Sequence, residues 1–180
     1  MTDDSSARVT RAVTVEGVRL RFAASHMATL GDDLEPLHGH NYIARCRVDG
    51  TLTDDRWVID FSVLKRAVRE ACEALDHRFL LQRDSPLLDI TGDAGGWTIR
   101  FGDRQYRFPA SDVVALPIEN STAELIADWV AGRVLAALAA GDHRNLTRID
   151  VEIEEMPGQS GSYARDLEPG WPATTRSLGS

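Results

Sequence analysis

Apolar and polar positions alternate with a period of two in three stretches of the chain and follow a helical period in two others. Over residues 9 to 24, Val13 and Val15, then Val18, Leu20 and Phe22, recur at every second position on either side of Gly17. This predicts two extended arms joined at a turn or bulge. From Asn41 to Leu52, Tyr42, Ala44, Cys46 and Val48 take one face while Ile43, Arg45, Arg47 and Asp49 largely take the other, as in a half-buried strand. Between Phe61 and Leu75 the period lengthens: Phe61, Leu64, Val68, Cys72 and Leu75 fall on one helical stripe, and Asp60 is placed to cap its start.

Beyond that helix, the turn-rich Thr91 to Gly96 precedes Trp97 to Phe101, Gly102-Asp103 and Gln105 to Phe108, which predicts an inserted β-hairpin over residues 97–108. Ser121 or Thr122 caps a second helix to about Ala140, with Leu125, Ile126, Trp129, Val130, Val134 and Leu138 as its buried stripe. A last strand, Leu146 to Glu155, sets Ile149, Val151 and Ile153 against Asp150, Glu152 and Glu154, and a short extended piece follows near Tyr163. The expected class is α+β: a four-stranded antiparallel sheet in ββααββ order with two helices on one face and the hairpin inserted between them. One domain is expected over residues 7–167, with a loosely ordered tail over 168–180.

Composition narrows the function. A chain of 180 residues can bury roughly 70% of its unfolded surface, so a metal is not required for folding and one found here would be functional. The charge is 20 − 28 = −8 with Lys65 as the single lysine, which argues against nucleic acid or a membrane surface as partner, because both are held by clustered positive charge. Cys46 and Cys72 stand apart in apolar stretches and form neither a disulfide framework nor a CxxC knuckle. Met1 to Ser6 lacks the features of a signal peptide, and no apolar run approaches the ~20 residues of a membrane span. The expected location is the cytoplasm.

Three of the five histidines cluster: His26 ends the first strand system, and His38-Gly39-His40 opens the next after 11 intervening residues. Residues i and i+2 of a strand share a face, so His38 and His40 form half of a metal site, and antiparallel pairing would bring His26 to them. Three imidazoles without a fourth protein ligand describe a catalytic zinc site with an open position; HGH as a plain turn is the competing reading. Asp76-His77, at the end of the first helix, offers an acid–base pair or a structural one. Glu155 ends a mostly apolar strand face, either at the solvent edge or as a ligand anchor.

Phe22-Ala23-Ala24-Ser25-His26, Leu37-His38-Gly39-His40-Asn41-Tyr42, Trp57-Val58-Ile59-Asp60-Phe61, Leu75-Asp76-His77, Ser121-Thr122-Ala123-Glu124, and Glu155 eight residues before Tyr163 follow one another in this order. Together they resemble the 6-pyruvoyl-tetrahydropterin synthase and 6-carboxy-7,8-dihydropterin synthase family. The resemblance implies the tunnelling fold, with trimers closing a barrel and two trimers stacking into a homohexamer. It implies zinc on His26, His38 and His40, a 7,8-dihydroneopterin triphosphate substrate bound by Ser121, Thr122 and Glu155, and a lyase reaction on its side chain that gives a 6-hydroxymethyl-, 6-carboxy- or 6-pyruvoyl-type pterin for a folate- or queuosine-type pathway. The family's catalytic cysteine, four residues before HGH, is replaced here by Leu34. Glu35 instead resembles an E-x-x-H-G-H variant that cleaves the side chain to 6-hydroxymethyl-7,8-dihydropterin, which makes Glu35, Asp76 and His77 the expected catalytic set. On this alignment Leu34→Cys is expected to restore some activity to a Glu35→Gln variant or to shift the product toward the cysteine-type outcome. The alternative is a pterin-binding or zinc-binding protein of the same fold with altered chemistry.

Overall fold

The computed structural model describes residues 10–172. The chain opens with β1 (Arg11–Val15) and β2 (Arg21–His26), then a miniature hairpin, β3 (Thr29–Leu30) and β4 (Asp33–Leu34), before the long β5 (His38–Gly50). The first helix, α1 (Phe61–Leu75), is followed by β6 (Arg78–Gln82), by β7 (Asp89–Asp93), β8 (Gly96–Phe101) and β9 (Arg104–Phe108), and by β10 (Val113–Leu116). The second helix, α2 (Ala123–Leu138), leads into β11 (Leu146–Met156) and β12 (Gln159–Asp166).

Among the described residues the main sheet has seven strands rather than the four expected, in the order β10-β6-β2-β5-β11-β12, with β1 alongside the second half of β5. It is also not wholly antiparallel, because β6 runs parallel to both β2 and β10. The periodicity missed β6 for a physical reason. Leu80 packs into the main core while Phe79 and Leu81 pack into a second core on the other face, and a strand covered on both faces reads as a continuous apolar run without alternation.

Both helices cover one face of the sheet. Leu64, Val68, Cys72 and Leu75 of α1 and Ile126, Val130, Val134 and Leu138 of α2 share a single core with Phe22, Tyr42, Ala44, Cys46, Val48, Ile149, Val151 and Ile153. The Asp60 carboxylate accepts from Ser62 N at 2.6 Å and caps α1. Phe61, expected on the buried stripe, is exposed, and Leu125 and Trp129 of α2 are only partly buried.

The insert is a three-stranded meander, β7-β8-β9, rather than a two-stranded hairpin. Thr91 and Gly92 belong to β7 and not to a turn: Gly92 pairs with Trp97, whose ring lies 3.1 Å from where a β-carbon would stand. The meander lies over Phe79, Leu81, Met27 and Leu34, which form the second core with Ile99. The extended piece near Tyr163 is the strand β12, paired along its length with β11. Residue 7, the expected start of the domain, and the expected tail from residue 173 onward lie outside the described residues. Before that point Leu167 is buried and Trp171 packs on the main core. Among the described residues no helix is long and apolar enough to cross a membrane.

Candidate active site

His26 is the last residue of β2 and His38 the first of β5, and the antiparallel register pairs them directly. Their Nε2 atoms face each other at 3.1 Å, and one ligand atom from each of His26, His38 and His40 lies within 4.8 Å of the other two. The neighbouring carbonyls assign the protons. Nδ1 of His26 lies 2.8 Å from Ser121 O and Nδ1 of His38 lies 2.8 Å from Pro36 O. A carbonyl oxygen can only accept, so both Nδ1 atoms donate, and in the neutral rings both Nε2 atoms present lone pairs. Burial, partly offset by the Ser121 carbonyl, pushes the His26 pKa down to about 4, so its ring stays neutral.

Two lone pairs at this distance repel unless a cation lies between them. A tetrahedral centre with metal–nitrogen bonds of about 2.0–2.1 Å places its ligand nitrogens about 3.3 Å apart, so this donor set fits a metal ion. The backbone carbonyls behind His26 and His38 fix ring orientation as outer partners of ligating histidines do.

Gly39, between His38 and His40, pairs with Ser25. A β-carbon there would stand 2.7 Å from Ala24 O, so only glycine lets β5 approach β2 this closely. Gly39→Ala is expected to cost roughly 1–3 kcal/mol in urea unfolding and to weaken metal binding. A variant as stable as the parent would show that the two strands separate without cost.

The 11 residues between His26 and His38 fold back as the β3-β4 hairpin, turning at Gly31 with φ +60°. Its ladder ends where Glu35 N donates to Ala28 O at 3.0 Å, which places Glu35 at the root of the hairpin. Side chains on extended backbone alternate in direction: Leu34 is buried in the second core, whereas Glu35 lines a cavity of about 410 Å³ with His26, His38 and His40. The sequence expectation for Leu34→Cys is corrected here, because a thiol at this position enters the second core and not the cavity.

Glu155 and Thr122 line the same cavity. Glu155 is the extra residue of a bulge between Glu154, paired with Ser160, and Met156, paired with Gln159, and bulges re-aim side chains in this way. Its Oε1 is buried without a hydrogen-bond partner, and burial raises its pKa above the ordinary glutamate value. Thr122 is the N-cap of α2, but its side chain makes no capping bond. Ser121 is fully buried behind the cavity: its carbonyl faces His26 and its hydroxyl has no partner. The wall beside them is close-packed, since a β-carbon on Gly161 of β12 would lie 2.7 Å from Ala123 Cβ and Glu124 N.

Asp76 and His77 are not brought to this cavity within one chain. They lie where α1 hands over to β6. Ala23 N donates to Asp76 Oδ1 at 2.8 Å, His77 N donates to Ala23 O at 2.7 Å, and His77 Nδ1 lies 2.9 Å from Asp76 Oδ2. Burial tends to raise the Asp76 pKa, but the bonds from Ala23 and His77 hold it below the ordinary aspartate value. His77 has a left-handed backbone (φ +56°), and its side chain is 82% exposed. It faces a different groove of about 520 Å³, to which Ser25, Gly39 and Asn41 contribute and which shares only His40 with the cavity of the three histidines.

Sequence reasoning missed three contributors. Tyr42 stacks on Phe22 with ring centroids 4.7 Å apart, presents its edge to His26 and His40, and buries a hydroxyl that has no partner. In the sequence it stood as a buried strand position and as the last residue of the Leu37–Tyr42 motif, with no role in the site. Asn120 grips the hairpin in both directions, accepting from Thr29 N and donating to Thr29 O, each at 2.8 Å. Arg104 reaches the hairpin from the insert. No spacing rule links residues 70 or 91 positions apart.

A family profile described as 6-pyruvoyl tetrahydropterin synthase matches residues 17–166. A Methanocaldococcus jannaschii protein provisionally named a 6-carboxy-5,6,7,8-tetrahydropterin synthase is 29% identical over 150 residues, covering 83% of this chain and 92% of that protein. The 6-pyruvoyl tetrahydropterin synthase structure from Plasmodium vivax superimposes with a TM-score of 0.83 at 30% identity, over 89% of this chain and all of that one. The Plasmodium falciparum enzyme gives the same score, identity and coverage. A further P. vivax structure, also at TM-score 0.83, is described as a catalytic-residue mutant with a glutamate replaced by alanine.

Proposed function

The chain belongs to the 6-pyruvoyl tetrahydropterin synthase family, and from that premise we propose that it is a zinc-dependent lyase acting on the side chain of 7,8-dihydroneopterin triphosphate. One observation carries this reading: a single cavity joins three convergent histidines to Glu35 and to the half-buried carboxylate of Glu155, whose Oε1 is unpartnered. His26, His38 and His40 would hold the zinc. Bound there, it would supply Lewis-acid polarisation of a substrate side-chain oxygen.

Glu155 anchors the pterin. Its carboxylate accepts two parallel N–H bonds from the guanidine-like edge of the ring, as it would from arginine. Only the ionised form accepts both, and burial raises its pKa, so pterin affinity falls on acidification at a higher pH than an exposed glutamate would dictate. Thr122, with its hydroxyl free of capping duty, and Ser121 behind it complete the ring subsite.

Glu35 is the base. For cleavage to the 6-hydroxymethyl product, its carboxylate takes the proton of the side chain's 2′-hydroxyl. The C1′–C2′ bond then breaks to leave an aldehyde on the triphosphate fragment, and the electron pair left on C1′ delocalises into the pterin. The same proton is returned to C1′, so the step balances with no added reductant or oxidant. The glutamate described as catalytic in the P. vivax relative supports this assignment, and the E-x-x-H-G-H pattern favours this product over the 6-carboxy or 6-pyruvoyl type.

Incubation of the zinc-loaded protein with 7,8-dihydroneopterin triphosphate, followed by mass spectrometry of the pterin, tests the reading. 6-Hydroxymethyl-7,8-dihydropterin is the expected product. Binding of the substrate without turnover would instead establish a pterin-binding protein of altered chemistry.

The acid–base pair Asp76–His77 enters this scheme through assembly. Closure of a barrel from several copies, which hides edge strands, gives the exposed pair a neighbouring chain to serve. A homo-oligomer, a hexamer built from two trimers, is expected by light scattering at micromolar concentration; a monomer would remove Asp76 and His77 from the catalytic set.

A further inference from the structure

We propose that the inserted meander β7-β8-β9 is a positioning element for Glu35 that acts through Arg104. The inference rests on the reading of Glu35 as the base, and it assigns a role to the segment outside the family-like motifs.

Arg104 opens β9, directly across the two-residue turn at Gly102 (φ +58°) from its partner Phe101. Its guanidinium lies 5.0 Å from the centre of the Phe101 ring, which fixes the direction of the side chain. From there Nη2 donates to Leu34 O at 2.7 Å and lies 3.4 Å from Asp33 Oδ1. The residue whose carbonyl it holds is the immediate neighbour of Glu35. Leu34 is also held through its side chain, which packs with Ile99 of β8 in the second core.

The hairpin is thus gripped on both strands: Arg104 and the insert hold β4, and Asn120 holds Thr29 of β3. Asn120 directly precedes Ser121, whose carbonyl orients His26. A hairpin of four strand residues and a single two-residue turn has little cohesion of its own, so the grip of the insert decides how sharply Glu35 is aimed. Displacement of a reacting group by about 1 Å can cost on the order of 100-fold in rate.

The test compares Arg104→Met, which keeps the apolar stem on Phe101 but removes every donor, with Arg104→Lys, which keeps a cationic donor. Both are made in the full chain, alone and combined with Glu35→Gln. Arg104→Met is expected to lower kcat on the order of 10-fold to 100-fold, with KM unchanged within about threefold because Glu155 is untouched. Arg104→Lys recovers part of the loss. Hydrogen exchange at the Glu35 amide, which closes the hairpin onto Ala28, accelerates in Arg104→Met, while amides of β5 and β11 stay protected.

In the Glu35→Gln background Arg104→Met is expected to cost nothing further, since a positioning residue has no effect once the group it positions is gone. An equal loss in both backgrounds, or unchanged exchange at Glu35, overturns the proposal. If Glu35→Gln alone turns over normally, the base assignment and with it the catalytic consequence of Arg104 are overturned, and the exchange data then separately decide whether Arg104 holds the segment.

Discussion

Glu35→Gln is expected to bind zinc and pterin as the parent does and to turn over substrate ~100-fold to 10,000-fold more slowly, the usual cost of removing a general base. The amide is nearly isosteric, so hairpin and cavity remain intact and the loss falls on kcat. Titration with a pterin followed by fluorescence, alongside single-turnover rates, separates binding from chemistry. A loss under about tenfold would make Glu35 a solvated wall residue, because a true base cannot be removed so cheaply. Leu34→Cys in the same background is expected to rescue nothing, since Leu34 is 2% exposed in the second core. Turnover by that double variant would mean that the hairpin shifts register to present residue 34 to the cavity.

The second large effect concerns the metal. The parent is expected to carry about one zinc per chain by elemental analysis, and the His38→Ala/His40→Ala double variant essentially none, because one remaining imidazole cannot supply the donors of a tetrahedral site. Activity should vanish with the metal. Folding should survive: His38 and His40 are only partly buried at the start of β5, whereas the main core from Tyr42 to Val48 is built without them. A near-native circular dichroism spectrum with no zinc is therefore the expected pair of results. Full zinc retention would remove the ligand assignment, and global unfolding would show that the metal is structural.

Much of this architecture was legible in the amino-acid order because it depends on local rules. Alternation marks β5 and β11, where one face is buried and the other charged. The helical stripe and Asp60 mark α1, and His38 and His40 share a face by the two-residue period of a strand. The convergence of His26 with them followed from strand end meeting strand start, which the register His26 to His38 realises.

Other features required the folded chain. The strands β6 and β10 escaped notice because their neighbours cover both faces or bury them only partly, which removes the alternation that a sequence can display. Aspartate and glycine at the end of β7 imitate a turn until Trp97 is seen to fill the space beside Gly92. The separation of Asp76–His77 from the cavity depends on which side of the sheet each residue emerges, and adjacent sequence motifs do not encode that. The opposite facing of Leu34 and Glu35 is set by a hairpin whose cohesion comes from Arg104 and Asn120, 70 and 91 residues away from their targets. Local periodicity thus determined the half-buried strands, the helices and the shared face of His38 and His40, whereas the direction of Glu35 and the company it keeps were decided by tertiary packing, because contacts between distant segments leave no period in the sequence.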